Sequence, residues 1–236
     1  MSPKSIYIVF KREFKSLFFS PVAYIIMTIF LVVTGWFFFS AFFLAGRADM
    51  RDFFNLLPLI LTFTIPAVTM RIFAEEYRSG SFEILATLPL EKWEIVIGKF
   101  LSAHVLTIVM IAPTIIYAFF VSSVGDLDWG PVWGGYLGAL LLSGAFTAIG
   151  LFASSLTHNQ IVAFIISVSI CFFLSIVDNV LIFVPGFLLW IFQYMGTDFH
   201  FSSIAKGVID SRDIIYFLSL IFISLYSSFL VSMERR

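Results

Sequence analysis

Between positions 71 and 99 the chain reads RIFAEEYRSGSFEILATLPLEKWEIVIGK. This stretch gathers nine charged residues: Arg71, Glu75, Glu76, Arg78, Glu83, Glu91, Lys92, Glu94 and Lys99. Its Gly98-Lys99 pair comes nearest to a phosphate-binding loop. Such a loop needs G-x-x-x-x-G-K-[ST]. Here Trp93 stands in place of the first glycine and Phe100 in place of the hydroxyl residue, and no strand pattern leads in. Nucleotide hydrolysis by this chain's own residues is therefore not expected. Ser102 and His104 lie two apart in a helical run, hence on different faces, which disfavours a nucleophile–base pair. An intramembrane enzyme is thus the weakest reading, and no catalytic residue is assigned. Cys171 is the single cysteine, so no intrachain disulfide and no multi-cysteine metal site can form. His104, His158 and His200 are scattered, with the last two assigned to loops on opposite faces, and no metal site is expected. Asp178, in SIVDNV, is ionisable within an apolar run and so a functional candidate by default. Its place near the outer end of that run suits a solvated structural or interfacial role.

The elements that hold these residues follow from composition. The chain of 236 residues is 60% hydrophobic and 12% charged, with mean hydropathy +1.02. Soluble domains carry about 25% charged residues. So few charges cannot cover a soluble surface, and the reading is an all-α polytopic membrane protein. Six apolar segments approach or exceed the ~20 residues that cross a bilayer as helix. They are placed at 21–45, 53–73, 93–124, 131–156, 161–182 and 214–232. A further run, 183–195 (FVPGFLLWIFQYM), is too short to span and reads as re-entrant or interfacial. The organisation is thus an N-terminal segment, 1–20, and a six-helix domain, 21–236, with an outer region at about 180–213.

Orientation comes from the basic residues of the loops. With a cytoplasmic N-terminus, Lys4, Lys11, Arg12, Lys15, Arg71, Arg78, Lys92, Lys99, Arg235 and Arg236 fall inside. Arg47, Arg51, Lys206 and Arg212 fall outside. Both termini are then cytoplasmic. The start, KSIYIVFKREFKSLFF, sets its basic residues among Ile6, Phe10, Phe14, Leu17 and Phe18 at spacings of three and four. That is the pattern of an amphipathic helix lying at the inner interface, its basic side toward lipid head groups. Gly134 and Gly138 have G-x-x-x-G spacing, which suits close helix packing within the bundle or a dimer seam. Pro58, Pro66 and Pro113 lie within spans and predict kinks.

The charged stretch joins the second and third spans. The second span is expected to run on as RIFAEEYRS until Gly80, a residue that readily takes the left-handed conformation ending a helix. Ser81 can cap a short helix with Glu83 in its first turn. Pro89 stops it, and a new helix starts near Glu91. Phe82, Leu85 and Leu88 would form an apolar ridge. A short rigid helix of this kind, at about 81–88, suits docking into a groove on a soluble partner; the bland alternative is a helix flat on the lipid.

At these residues the chain resembles the ABC-2 type transporter permeases. Their loop pattern is roughly E-x-x-x-G-[ST]-x-E-x-L-x-[ST]-x-P, followed by Gly-Lys at the head of the third span. The matches are Glu76, Gly80, Ser81, Glu83, Leu85, Thr87, Pro89, Gly98 and Lys99. Glu91 stands where many relatives carry Ser or Thr. The likeness extends to the basic first helix, the six spans and the re-entrant run. It looks closest to the permeases of gliding motility and nitrous-oxide reductase maturation. The resemblance implies a permease subunit of a bacterial inner-membrane exporter. In that family the short helix is a coupling helix seated in a separate ATPase. Two permeases and two ATPases make the working unit, and ATP and Mg belong to the partner. The implied coupling interface is Glu75, Glu76, Arg78, Ser79, Gly80, Ser81, Phe82, Glu83, Leu85, Thr87 and Pro89. No cofactor is expected in this chain, and no nucleic-acid partner; membrane lipid and an outer partner are. A rival class is a mechanical transmitter that passes ATPase strokes to that outer partner without transport.

Overall fold

The structure, a computed structural model, describes residues 3–82, 90–180 and 193–234. Glu83, Leu85, Thr87, Leu88 and Pro89 of the expected coupling helix lie outside the described residues, as does most of the expected re-entrant run. Helix boundaries follow local chemistry. A first helix, α1 (Pro3–Phe18), precedes α2 (Pro21–Ala45), which opens on Pro21 in its first turn and closes on Gly46 at φ 58°. The left-handed backbone at Gly46 sends its N–H back to Phe42 O and suits glycine. Next come α3 (Arg51–Thr69) and the short α4 (Ala74–Ser79). The third span is α5 (Lys92–Ile111) and α6 (Ile115–Val124), joined by a 3-10 turn at Ala112–Thr114. Pro113 sits in that turn, so the expected kink takes the form of a tightened turn of helix. α7 (Trp129–Leu156) is capped by Asp128, whose carboxylate accepts from Gly130 N. α8 (Gln160–Val180), α9 (Thr197–Ala205) and α10 (Ser211–Glu234) complete the described chain.

Among the described residues, six helices are long and apolar enough to cross a membrane, with mean hydropathy of 1.8 to 2.5. The chain is a multi-pass membrane protein. Its hub is α7, whose most apolar window is 78% buried, against 17% for α10 and 22% for α2. Small residues make this possible, because a glycine lets a neighbour come within backbone distance. Gly134 faces Ile204 O and Gly207, Gly138 faces the Phe201 ring, Gly135 the Phe54 ring, and Gly150 the Thr69 hydroxyl. The Gly134/Gly138 pair thus receives α9 rather than a second spanning helix or a second copy. Around the hub an aromatic cluster locks α2, α3 and α6 together. Phe38 stacks on Tyr117 with centroids 5.7 Å apart and meets Phe53 edge-on at 5.8 Å.

Two expectations are corrected around α9. His200 lies not in a loop but in α9, buried, with Nδ1 2.7 Å from Asp213 Oδ1 and Nε2 3.2 Å from Tyr194 O. Asp178 has the expected structural role but is half-buried, not freely solvated. Its Oδ2 accepts from Phe199 N at 2.7 Å, and its Oδ1 is buried. The reason is a vacancy at the start of α9: its N-cap is Gly196, which has no side chain to offer. Asp178 of α8 supplies the acceptor from across the gap, and the absent Cβ of Gly196 leaves it room.

Asp198, beside it, has its carboxyl pushed up to about 6 by burial and then by the Asp178 charge. A carboxyl that holds its proton more tightly folded than unfolded favours the fold most at low pH. Its contribution should be full below about pH 4 and lost as pH rises through about 6. Asp198→Asn should remove that slope, so thermal midpoints of wild type and variant should diverge across this window. Separately, Gly134→Val would press a side chain into the backbone of Ile204 and Gly207, which cannot rotate away. The expected cost is about 1–3 kcal/mol of overpacking, read as a lower melting midpoint in detergent.

Candidate coupling site

The residues that the sequence singled out around position 80 meet the bundle at one end. There α1, α4, the start of α5, and the last turns of α7 and α10 converge. α1 lies against α5 through Val9, Glu13 and Leu17, all buried and spaced four apart. Of the expected apolar set Ile6, Phe10, Phe14, Leu17 and Phe18, only Leu17 lies on this buried line. Those phenylalanines instead stack in a row along the flank, with 5.7 Å from Phe10 to Phe14 and 5.5 Å from Phe14 to Phe18. The close line needs a glycine opposite: a Cβ on Gly98 would lie 2.7 Å from Val9 Cγ1.

One position later, the Lys99 side chain is fully buried. Its ammonium has three protons and finds three acceptors. These are Glu76 Oε1 at 2.8 Å, Glu13 Oε2 at 3.3 Å and Ile72 O at 3.2 Å. The Phe73 ring centroid is 5.1 Å from the same nitrogen, a favourable cation–ring distance. Arg12 Nη2 reaches Glu76 Oε1 at 3.3 Å and Glu13 Oε1 at 3.8 Å. Two cations and two carboxylates from three helices therefore balance. A buried charge needs this, since its desolvation is offset only by close, well-directed partners.

The same end is tied at two further points. The second span runs on to Ser79 as expected, with a turn at 70–73 between α3 and α4. Ser154 of α7 holds that turn: its hydroxyl accepts from Phe73 N (3.0 Å) and Ala74 N (3.1 Å) and donates to Met70 O (2.9 Å). At the head of α5, Glu91 and Glu94 form a reciprocal capping box, so glutamate does what Ser or Thr does elsewhere. Lys92 Nζ donates to Ser232 O at 2.8 Å and Met233 O at 3.3 Å, meeting carbonyls that the end of α10 leaves open. Trp93 stacks on Phe229 at 4.4 Å.

The expected interface residues divide in two. Glu75, Arg78, Ser79 and Gly80 are exposed. Gly80 has φ 72° and ends α4 as its sequence position predicts, and the Ser79 and Ser81 hydroxyls lie 2.9 Å apart. Glu76 instead turns into the ion cluster. Phe82 also turns inward, 6% exposed, with its ring 4.8 Å from Tyr77 and 6.2 Å from Phe73. It anchors the loop to α4 rather than contributing an outward ridge. Sequence reasoning missed Glu13, Arg12 and Ser154. Glu13 had a signal: it is the one acidic residue in a basic helix, on the line of Val9 and Leu17.

The loop pattern's glutamate, Glu76, and its distant lysine, Lys99, are thus bonded partners. A family description, ABC-2 family transporter protein, matches residues 7–189. The chain belongs to the ABC-2 transporter family. No curated protein matches the chain significantly. As an ABC-2 protein it is the membrane-embedded permease subunit of an ABC transporter, and ABC ATPase subunits are its partners. In this permease, Lys99→Met should leave Glu13 and Glu76 with Arg12 as their remaining cation. Breaking a buried ion set in this way costs about 3–5 kcal/mol. Thermal unfolding in detergent should show that loss, and an unchanged midpoint would contradict the arrangement.

Proposed function

We propose that this permease converts ATP hydrolysis by two separate cytoplasmic ATPase subunits into export across a bacterial inner membrane. Two copies of the chain, or this chain and a paralogue, would complete the unit. The observation that supports this reading is the ion cluster beneath the loop. Glu76, just before Gly80, is bonded to Lys99 on α5, which is bonded to Glu13 on α1. A push on the loop would therefore be felt by α1, α4 and the third span together. Arg78, Ser79 and Gly80 are exposed at the tip of α4 and would form the contact surface together with the coupling helix expected at about 81–88. Trp93 and Lys92 would carry the displacement to α10.

Cysteine labelling tests this directly, because the native Cys171 is buried. Ser79→Cys should react with a membrane-impermeant maleimide in inverted vesicles and not in intact cells. In the purified complex it should crosslink to the ATPase. Labelling from outside intact cells would reverse the orientation and overturn the reading. Arg78→Glu should lower ATP-driven flux in proteoliposomes several-fold without lowering the melting midpoint of the chain.

A further inference from the structure

A cleft of about 210 Å³ opens beside the ion cluster, lined by Arg12, Glu13, Ser16, Arg71, Glu75 and Glu76, among others. Most of its charges are spoken for. Arg12, Glu13 and Glu76 belong to the cluster around Lys99. Arg71 and Glu75 do not. They are four residues apart and line the same cleft, but no ion pair joins them, and neither side chain has a polar partner among the described residues. Among the described residues the cleft thus presents one cation and one carboxylate without an ion-pair partner, four positions apart in the chain. Their complement is a ligand carrying both charges.

The level of the cleft says where that ligand comes from. Arg71 stands two residues past the end of α3, where the apolar run gives way to charge. It also borders an apolar crease formed by Leu17, Val22, Ala23, Ile26, Ala67 and Val68. Val22 and Ile26 are successive turns at the start of α2, so the crease descends about 6 Å along that span. A charged cleft opening onto an apolar crease at the end of a spanning helix matches a phospholipid, head group above and acyl chain below. The crease has room for only about 10 Å³, so the acyl chain would lie over its mouth and not within it.

We propose that this cleft binds a zwitterionic aminophospholipid of the ethanolamine type, with its phosphate on Arg71 and its ammonium on Glu75. A primary ammonium donates hydrogen bonds to a carboxylate, which a quaternary choline head cannot do. An anionic lipid would satisfy Arg71 but set its charge against Glu75 and its neighbours Glu13 and Glu76. The proposal requires that the chain spans a bilayer, and does not depend on any ATPase.

The test is native mass spectrometry of the full chain, exchanged against equal mole fractions of phosphatidylethanolamine, phosphatidylcholine and phosphatidylglycerol. Wild type should retain phosphatidylethanolamine in preference to both others. Arg71→Gln should lower that retention about fivefold, the scale of one partly exposed ion pair. Glu75→Gln should abolish the preference over phosphatidylglycerol while total lipid retention holds. Arg47→Gln, at the opposite end of the bundle, should change nothing. Free phosphorylethanolamine should not displace the lipid, since it lacks the chain. Preference for phosphatidylglycerol in wild type, unchanged retention in Arg71→Gln, or displacement by the free head group would each overturn the proposal. Unaltered melting midpoints of the two cleft variants separate lost binding from lost fold.

Discussion

A single ammonium group, sealed from water and lipid alike, sets the terms for one end of this molecule. Lys99 can be charged where it sits because three acceptors surround it. Those acceptors come from α1, from α4 and from the turn that precedes α4. Each of the three elements, moving away alone, would take one acceptor from the buried ammonium. The geometry that allows this is set one residue earlier, where Gly98 lets α1 lie close enough for Glu13 to reach. Ser154 then fixes the turn that carries Ile72 and Phe73. The N-terminal helix α1 is thereby made part of the bundle.

The opposite end is organised by a different economy. α7 carries glycine wherever a neighbour crosses closely, and α9 rests on Gly134 and Gly138 rather than on a hydrophobic face. Asp178 caps α9 from another helix, and His200 bridges α9 to the first turn of α10 through Asp213. Polar side chains therefore fasten both ends, and at the α9 end aromatic and small residues pack beside them. The third span is continuous in sequence but not in geometry. Its 3-10 turn at Ala112–Thr114 separates a half tied by ions and caps from a half held by aromatic rings.

Much of the architecture was legible because its signals are local. Six long apolar runs, Pro21 at a helix start and Gly80 at a helix end act through a few neighbouring residues, and the helices lie close to where those residues placed them. The turn after Thr69 was not legible, since the residue that holds it, Ser154, is more than eighty positions away. The same holds for Asp178, which reads as a lone acid until Gly196 and Phe199 are seen opposite. At the candidate site, Glu76, Gly98 and Lys99 were found through a family pattern that says nothing of why they go together. The physical reason is a bond and an absent Cβ. Glu13 escaped notice because an amphipathic reading sorts residues into apolar and basic, and an acid on the buried line fits neither class.

The order of the partners along the chain has a bearing on how the protein is made. Glu13 and Glu76 both precede Lys99, so they leave the ribosome before it does. When the third span reaches the insertion machinery, the carboxylates that neutralise its amine have already been synthesised. A nascent chain built in the reverse order would have to park an unmatched positive charge at the bilayer until its anions appeared.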